Sequence, residues 1–555
     1  MINTLLAVLI AQASPDSSYV IARDVHVPIR DGASICALIV RRRVAERLPA
    51  LLTFTIYVDS AANLADARRS ADHGYIGVVG YTRGKACAPG PIEPYRHDGA
   101  DAAALIDWIA AQPWSDGRVG MYGGSYNGFT TWAATKYMPK ALKAIMVGAP
   151  VVPAIDVPME GNIVWNFLYP WPFYTTNNTT LDSATYFDNA RWQRLNREWY
   201  VSGRAYRDLD KIDGTPNPVW NEWVAHSSYD AYWRDVIPNG AEFARIKIPV
   251  LQTVGYFWGG PGAAQYYFEH HAPGHGPGAP QHYLLIGPYN HPQAQRGVVS
   301  ARGDTSKVLG GYEIDPVARI DIVAELRYNW FNWVLKGGPR PRLLEDRVNY
   351  QVMGANVWKH APSVAAMSDS TLRIPLSERT LRVDLAYRGD ADTIVPGGLI
   401  RDTAVNAYLA LEYVSEPLAQ ATEVSGLFGG HLEFITNKRD IDLGIQLYEL
   451  TPAGEYFQLP PFQQRLSFAR DLSTRRLLTP GKRETFDFTS RVLFSRRMGQ
   501  GSRIVVVIGP IKGPGQQINY GSGKEVNDET IQDAGAPLEL RILPGSSIAL
   551  PVRRR

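Results

Sequence analysis

The stretch from Val119 to Gly128 carries the residue best suited to nucleophilic chemistry. Its last six residues read GGSYNG, so Ser125 stands in a Gly-x-Ser-x-x-Gly pattern between an apolar run and a helical period. Such a turn from strand to helix, a nucleophile elbow, needs small neighbours because the serine backbone is strained and its hydroxyl must project at the helix N-terminus. Gly123 and Gly128 meet this need, and Asn127 tolerates unusual backbone angles. An ordinary glycine-rich turn is the alternative interpretation.

A histidine follows a second apolar run well downstream of the serine. Ile286 ends a buried-strand pattern, and the turn GPYN then presents His291. Serine before histidine is the chain order of α/β-hydrolases. Four other histidines are less well placed, because they crowd a Gly/Pro-rich stretch or begin a strand instead of following its end: His270, His271, His275 and His282. We therefore predict acyl transfer with Ser125 as nucleophile and His291 as general base.

The first half of the chain predicts the elements that would position this pair. From Val25 to Gly148, short apolar runs alternate with turns and helical periods, a pattern typical of a mostly parallel sheet covered by helices. Residues 151–245 are rich in Trp, Tyr, Asn and Pro and predict an inserted helical cap. Buried-strand patterns resume after the cap. The prediction is an α/β-hydrolase catalytic domain over residues 20–150 and 246–340, interrupted by the cap.

Beyond residue 345 the helical signal is nearly absent. Short alternating runs, such as Val348–Met353, Leu443–Leu450 and Ile504–Ile508, are separated by turn residues. They predict an all-β jelly-roll domain over residues 345–555. Division into several domains also agrees with the length of 555 residues, which is too long for one hydrophobic core.

The composition excludes some classes of function. With 57 Lys plus Arg against 54 Asp plus Glu, the net charge of +3 gives no field suited to nucleic acid. Outside the N-terminal stretch, no run approaches the roughly 18 apolar residues that a membrane span requires. Residues 1–13 fit a secretory signal peptide, although no Lys or Arg precedes the apolar run. We expect a periplasmic or secreted protein if that signal is real and a cytoplasmic one otherwise, and Cys36 and Cys87 leave the compartment undecided.

Several segments resemble the cocaine-esterase and X-prolyl dipeptidyl-peptidase-like hydrolases, the CocE/NonD family. They cover nearly the whole chain: Pro28–Gly32, Thr82–Lys85, Asp98–Tyr126, Gly287–His291, Val352–Trp358, Asn519–Lys524 and Pro537–Glu539. The resemblance implies a hydrolase core, an inserted helical cap and a C-terminal jelly roll. It also implies an oxyanion hole formed by the Tyr57 hydroxyl and the backbone N–H of Tyr126. It implies no metal or organic cofactor, a small ester, amide or short peptide as substrate, and allows a homodimer.

One position departs from the family pattern. Relatives place the triad aspartate in a Gly-aromatic-aromatic-Asp motif, whereas this chain has Gly255-Tyr256-Phe257-Trp258, and the next four residues, GGPG, contain no carboxylate. An indole cannot stabilise the imidazolium that forms during acylation. Three hypotheses follow: a slower Ser–His dyad, an acid that has moved to Asp156 or Glu160, and a pseudoenzyme that binds acyl compounds or peptides without turning them over.

Hydrolysis ranks first among these hypotheses, because the elbow, Tyr57 and His291 are all retained. Esters, X-Pro peptides and β-lactam side-chain amides are all substrates of such relatives, and the sequence does not choose between them. Aromatic residues of the predicted cap favour an apolar or aromatic acyl pocket, although such stripes also form ordinary cores: Trp165, Tyr169, Trp171, Phe173 and Tyr174.

Overall fold

The computed structural model describes residues 18–29, 31–257, 261–271, 281–299, 306–391, 399–405 and 407–554. The predicted signal peptide, residues 1–13, and Trp258 lie outside the described residues. Within the described ranges the chain forms three parts, a helix-covered sheet, a helical cap and a β-sandwich. The predicted fold class, an α/β-hydrolase core with an inserted helical cap and a C-terminal all-β domain, is confirmed.

A ten-stranded sheet organises the catalytic part. In chain order its strands are β1 (Tyr19–Pro28), β2 (Ser34–Arg42), β3 (Leu48–Thr55), β4 (Ile76–Tyr81), β5 (Ser115–Ser125), β6 (Leu142–Pro150), β7 (Val250–Gly255), β8 (His282–Gly287), β9 (Val348–Val352) and β10 (Val357–Ala361). They lie in the order β1-β2-β4-β3-β5-β6-β7-β8-β9-β10. Strands β4 to β9 pair in parallel, and the pairs at both edges are antiparallel.

Helices cover both faces of this sheet and also build the cap. In chain order they are α1 (Ser60–Asp72), α2 (Asp98–Ala110), α3 (Tyr126–Lys136), α4 (Pro170–Thr176), α5 (Ser183–Tyr186), α6 (Asn189–Ser202), α7 (Leu209–Asp213), α8 (Pro218–Ala225), α9 (Ala231–Arg234), α10 (Pro261–His271), α11 (His291–Arg296) and α12 (Arg327–Lys336). Shorter 3₁₀ turns lie at Asn166–Leu168, Tyr206–Asp208, Gly240–Arg245, Pro316–Ala318, Ala365–Met367, Leu466–Phe468, Val526–Asp528 and Ile531–Ala534, and a π-helical turn, Ile322–Leu326, leads into α12. Among the described residues no helix combines the length and apolarity that a membrane crossing demands.

The central strands are apolar because both of their faces are covered. All six residues of β4, β7 and β8 are buried, as expected for parallel strands between two helical layers. Trp132 on α3 has no exposed surface and stacks on Tyr267 of α10 at 4.5 Å between ring centroids. The carboxyl ends of β3, β5 and β8 therefore meet at one edge of a rigid sheet, which is where ligands bind in such folds.

The cap comprises α4 to α9 and a short hairpin, Met159–Glu160 with Ile163–Val164. Its core is aromatic, since Trp220 and Trp223 are both buried. Side-chain hydrogen bonds also connect the cap to the β-sandwich. Asn166 Nδ2 donates to the Pro514 carbonyl at 2.7 Å, and Asn527 Nδ2 donates to the Val224 carbonyl at 2.7 Å.

Two antiparallel sheets form the C-terminal sandwich. The larger contains Arg379–Val383, Leu538–Ile542, Gly429–Thr436, Ser547–Arg553, Thr422–Gly426, Phe494–Met498, Ser370–Pro375 and Arg483–Thr489. The smaller contains Arg401–Asp402, Tyr456–Gln458, Asp442–Leu450, Arg503–Pro510, Leu411–Val414 and Phe462–Arg465. Alternate residues of Asp442–Leu450 are buried, as the sequence pattern predicts for a strand with one face on a core. A separate pair, Val308–Leu309 with Tyr312–Glu313, forms a small hairpin.

The boundary between the two large domains differs from the sequence prediction. The alternating run at Val348–Met353 reads as the first strand of the β domain, yet Val348–Val352 pairs in parallel with β8 of the core sheet. Val357–Ala361 then closes that sheet as an antiparallel edge. Alternation of apolar and polar residues identifies a strand but not the strand with which it pairs. The sequence prediction therefore places this hairpin in the β-sandwich, whereas in the structure it belongs to the core sheet.

A disulfide joins Cys36 of β2 to Cys87, 51 residues later, in the loop that follows β4. The same loop carries Lys85, whose side chain is fully buried. The crosslink therefore ties a loop that borders the cap to the body of the sheet.

Candidate active site

Ser125 occupies the strained turn that the sequence predicts. It is the last residue of β5, α3 begins at Tyr126, and the serine has φ 56° and ψ −125°. A non-glycine residue rarely adopts a positive φ, and such strain is maintained only where the surrounding structure enforces it. The turn places the hydroxyl at the N-terminus of α3, as a nucleophile elbow requires.

Close packing explains the two glycines around this turn. A Cβ atom on Gly123 would lie 2.3 Å from the Asn127 carbonyl oxygen, and one on Gly128 would lie 2.8 Å from Pro150 Cα. Both obstacles are backbone atoms that cannot rotate away. The glycines therefore let α3 approach β5 and β6 closely enough to form the elbow.

Tyr57 lies just beyond the end of β3 and lines the same cavity as Ser125. Its hydroxyl oxygen accepts a hydrogen bond of 3.0 Å from the Trp171 indole N–H, which leaves its own proton free to donate. Burial raises the pKa of Tyr57 well above its ordinary value, and hydrogen bonding by Trp171 and Ser125 opposes this only in part. The phenol is therefore protonated at neutral pH and can act as a donor to an oxyanion.

The second predicted oxyanion donor is the backbone N–H of Tyr126. Tyr126 is the first residue of α3, where backbone N–H groups have no partner within the helix. Its side chain is fixed, because the hydroxyl donates to Asp98 Oδ2 at 2.8 Å and accepts from the Tyr95 N–H at 3.0 Å. Asp98 in turn accepts from Thr82 Oγ1 at 2.6 Å, and burial raises its pKa to about 6. This network holds the start of α3 in place.

His291 stands at the carboxyl end of the sheet, as predicted. It is the first residue of α11, which is capped reciprocally by the side chains of Asn290 and Gln293. The preceding turn is fixed to the end of β7, because the Tyr256 N–H donates to the Gly287 carbonyl at 2.9 Å. The histidine is thus presented by two adjacent strand ends.

The imidazole of His291 lines the same cavity as Ser125, but no hydrogen bond joins the two side chains within the described ranges. Catalytic hydrogen bonds are often long before substrate binds, so a shared cavity remains compatible with a Ser–His pair. Burial, and then the positive charge of Arg296, lowers the pKa of His291 to about 4. The ring is therefore neutral at physiological pH, as a general base must be, but its protonated form is poorly stabilised.

The two candidates for a relocated acid, Asp156 and Glu160, also line this cavity. Neither is paired with His291 among the residues that the structure describes. Asp156 Oδ1 instead accepts a hydrogen bond of 2.9 Å from the Val152 N–H. Burial raises the pKa of both carboxyls, and the charge of Glu160 raises that of Asp156 further, whereas Arg491 opposes the shift on Glu160.

The cavity has a volume of about 960 Å³ and takes its walls from all three parts of the fold. The core contributes the residues described above. The cap contributes an aromatic wall: Trp165, Phe167, Trp171 and Tyr174. The β-sandwich adds a third side: Ile400, Gln458, Leu459, Pro461 and Val492. Of the predicted cap aromatics, Tyr169 and Phe173 pack instead within the cap, 5.7 Å apart between ring centroids.

Sequence reasoning missed two features of this site. Arg491, which is electrostatically coupled to Glu160, comes from the β-sandwich, and no local motif marks it. The hydrogen bond from Trp171 to Tyr57 depends on how the cap folds over the sheet. The aromatic composition of the cap predicts a pocket wall but cannot indicate which indole has a polar partner.

Comparison with known protein sequences identifies a matching family model and curated relatives. Residues 31–293 match the family model described as X-Pro dipeptidyl-peptidase (S15 family). The cocaine esterase of Rhodococcus sp. is 35% identical over 148 residues, which are 26% of this chain and 25% of that protein. A putative serine esterase of Mycobacterium bovis, Mb1866c, is 24% identical over 437 residues, 65% of this chain and 63% of its own length. The chain thus covers about a quarter of the length of the first relative and less than two thirds of the length of the second.

Solved structures match over nearly the whole chain. An aminopeptidase from a marine sediment Thaumarchaeota archaeon has a TM-score of 0.78 at 18% identity, with 98% of each chain covered. An α-amino acid ester hydrolase has a TM-score of 0.74 at 20% identity, covering 99% of this chain and all of that one. A CocE/NonD family hydrolase from Staphylococcus aureus has a TM-score of 0.67 at 15% identity, covering 96% of this chain and 94% of that one. At these identities the likeness shows a common fold.

Proposed function

Because the chain belongs to the CocE/NonD and X-Pro dipeptidyl-peptidase (S15) family of serine hydrolases, we propose that it cleaves an ester or amide bond through an acyl-enzyme at Ser125. The observation that carries this proposal is that Ser125, Tyr57, Tyr126 and His291 all border one cavity. A nucleophile in an elbow, two donors and a neutral imidazole are the groups that acyl transfer needs.

In the proposed reaction, His291 accepts the Ser125 proton while Ser125 Oγ attacks the substrate carbonyl carbon. The Tyr57 hydroxyl and the Tyr126 N–H donate to the oxygen on which negative charge develops, a contribution worth about 2.7–4 kcal/mol per donor in hydrolases of this type. His291 then protonates the leaving alcohol or amine. Finally, His291 deprotonates the water that attacks the acyl carbon and returns this proton to Ser125 Oγ as the bond between Oγ and the acyl carbon breaks.

We infer that His291 works without a partner carboxylate. Its lowered pKa is that of a buried imidazole with a nearby cation and, within the described ranges, no anion that opposes the shift. Such a base is easily kept neutral, but the imidazolium formed during acylation is stabilised less than in a triad. We therefore propose a functional Ser–His dyad, slower than the triads of relatives.

For the substrate, we propose an acyl group that carries a protonated amine. Asp156 and Glu160 are partly buried carboxyls in the cavity, and the nearby Arg491 guanidinium donates to Gln464 Oε1 at 2.7 Å. A substrate ammonium would offset the cost of ionising these carboxyls. The names of two proteins with this fold, an aminopeptidase and an α-amino acid ester hydrolase, point the same way. Aromatic cap residues favour an apolar side chain on that acyl group.

A fluorophosphonate probe tests the hydrolase proposal directly, because it reacts only with an activated serine. We expect labelling of the wild-type chain, localised to Ser125 by peptide mass spectrometry, and none of Ser125→Ala. Ser115, which is fully buried at the start of β5, offers a matched control, since Ser115→Ala should label like the wild type. A wild-type chain that is folded but unlabelled would contradict the proposal. It would favour the second candidate, a pseudoenzyme, for which the missing triad acid is the specific observation.

For location we propose export to the periplasm or the cell exterior. The Cys36–Cys87 disulfide supports this, because such bonds form and persist in oxidising compartments. The apolar stretch in residues 1–13 is the other support. Mass spectrometry of the N-terminal peptide from the native host would show whether the segment is removed.

A further inference from the structure

The cap reaches the oxyanion tyrosine through one polar contact. The indole Nε1–H of Trp171 donates to the Tyr57 hydroxyl oxygen at 3.0 Å, and the two rings meet edge to face with centroids 6.4 Å apart. Within the described ranges, no other cap residue is hydrogen-bonded to Tyr57. Trp171 is 8% exposed, so water competes little for the indole N–H.

This contact determines where the phenol proton points. An indole N–H is a donor only, so the Tyr57 proton cannot be directed at Trp171. The phenol oxygen accepts from the indole and must donate elsewhere, and Tyr57 both interacts with Ser125 and lines the same cavity. A hydrogen bond received by the phenol oxygen also polarises its O–H and strengthens the bond that it gives.

The helix that carries Trp171 is itself fixed to the core. Lys85 Nζ donates to the Thr175 carbonyl at 2.7 Å and to the Asn178 carbonyl at 2.9 Å, and also contacts the Thr180 carbonyl. These groups lie at and just beyond the C-terminal end of α4, where backbone carbonyls lack helical partners and a cation is favoured. Trp171 is therefore held at both its side chain and its helix.

We propose that Trp171 is a positioning residue of the oxyanion hole, which orients and polarises the Tyr57 hydroxyl. This inference rests on the proposed hydrolase function and adds a role for the cap beyond forming a pocket wall. Its consequence is that closure of the cap over the sheet completes the catalytic geometry. The indole acts through Tyr57 and not on the substrate.

The competing explanation is that Trp171 only fills space. It stacks on Trp223 at 5.7 Å and lies 5.4 Å from Tyr126 and 6.2 Å from Tyr95 between ring centroids. Trp171→Phe separates the two roles, because phenylalanine keeps an aromatic ring in this cluster but has no N–H. A matched control is Trp220→Phe, since the buried Trp220 indole N–H in the same cap has no hydrogen-bond partner in the described part of the chain.

The experiment measures kcat and KM for hydrolysis of phenylalanine methyl ester. We expect Trp171→Phe to lower kcat about tenfold with KM changed less than about twofold, which is the signature of an interaction used mainly in the transition state. Trp220→Phe should retain wild-type kcat. In a Tyr57→Phe background, which itself should lose about 10²–10³ in kcat, Trp171→Phe should cause no further loss.

Affinity for phenylboronic acid provides a readout without turnover, because its tetrahedral adduct with a serine places an oxygen in the oxyanion hole. Trp171→Phe should weaken this affinity about tenfold, and Trp220→Phe should not. Equal effects of the two Trp variants, or an undiminished effect of Trp171→Phe in the Tyr57→Phe background, would overturn the inference while leaving the hydrolase intact. A wild-type chain that neither hydrolyses the ester nor binds the boronate would overturn the proposed function and this inference together.

Discussion

The acid limb of the pH–rate profile should fall near pH 4. The proposed hydrolysis requires neutral His291, and burial, followed by the charge of Arg296, lowers the pKa of this residue from the ordinary 6.5 to about 4. Each pKa unit corresponds to 1.36 kcal/mol, so the site disfavours the imidazolium by about 3 kcal/mol relative to water. kcat/KM should therefore stay near its plateau as the pH falls through 6.5 and decline only around pH 4.

The assay should use an uncharged ester, methyl 3-phenylpropanoate, with the released acid quantified by chromatography between about pH 3.5 and about pH 8. An uncharged substrate prevents ionisation of Asp156 or Glu160 from altering binding. Enzyme returned from acid to neutral pH should recover its rate, which separates titration from unfolding. An acid limb at pH 6.5 or above would refute the reasoning, because it would mean that an anion already stabilises protonated His291.

Three further predictions concern the missing acid, the amine site and the crosslink. Trp258→Asp should move the acid limb toward or above pH 6.5 and raise kcat/KM by up to about 10⁴; an unchanged rate would mean that another carboxylate serves His291 or that the pocket has repacked. Asp156→Asn keeps an oxygen for the backbone hydrogen bond but removes the charge, so KM for phenylalanine methyl ester should rise about tenfold while that for methyl 3-phenylpropanoate stays constant. Equal KM changes would argue against an amine site. Replacing Cys36 and Cys87 by Ala should lower the free energy of unfolding by about 4 kcal/mol, measured in denaturant, since the crosslink closes a 51-residue separation. A dithiol should then destabilise the wild type but not the variant.

The parts of the fold that local patterns determine could be predicted from the sequence. One of the short apolar runs between Val25 and Gly148 is Ile76–Tyr81, and it forms a strand whose six residues are all buried. The elbow at Ser125 is equally local, since glycine spacing and the change from strand to helix stand within ten residues. His291 follows the same logic, because a capped helix starts directly after a buried strand.

Features that depend on distant partners could not be predicted in this way. The strand Val348–Val352 joins the core sheet, although its alternation is equally consistent with the sandwich that follows. The sequence names Asp156 and Glu160 as candidate acids, but only the structure shows that both line the cavity and that, among the described residues, neither is paired with His291. The charge near Glu160 comes from Arg491, more than three hundred residues along the chain.

The three-sided cavity has a consequence for anyone who wishes to alter which molecules this protein binds. Leu459, Pro461 and Val492 border the cavity from the β-sandwich, whereas Ser125, His291, Tyr57 and Tyr126, the groups proposed for bond cleavage, all come from the core. Mutant libraries confined to the catalytic half would leave that side of the cavity unsampled. Selectivity could instead be retuned from the sandwich, where substitutions leave the strained serine turn untouched.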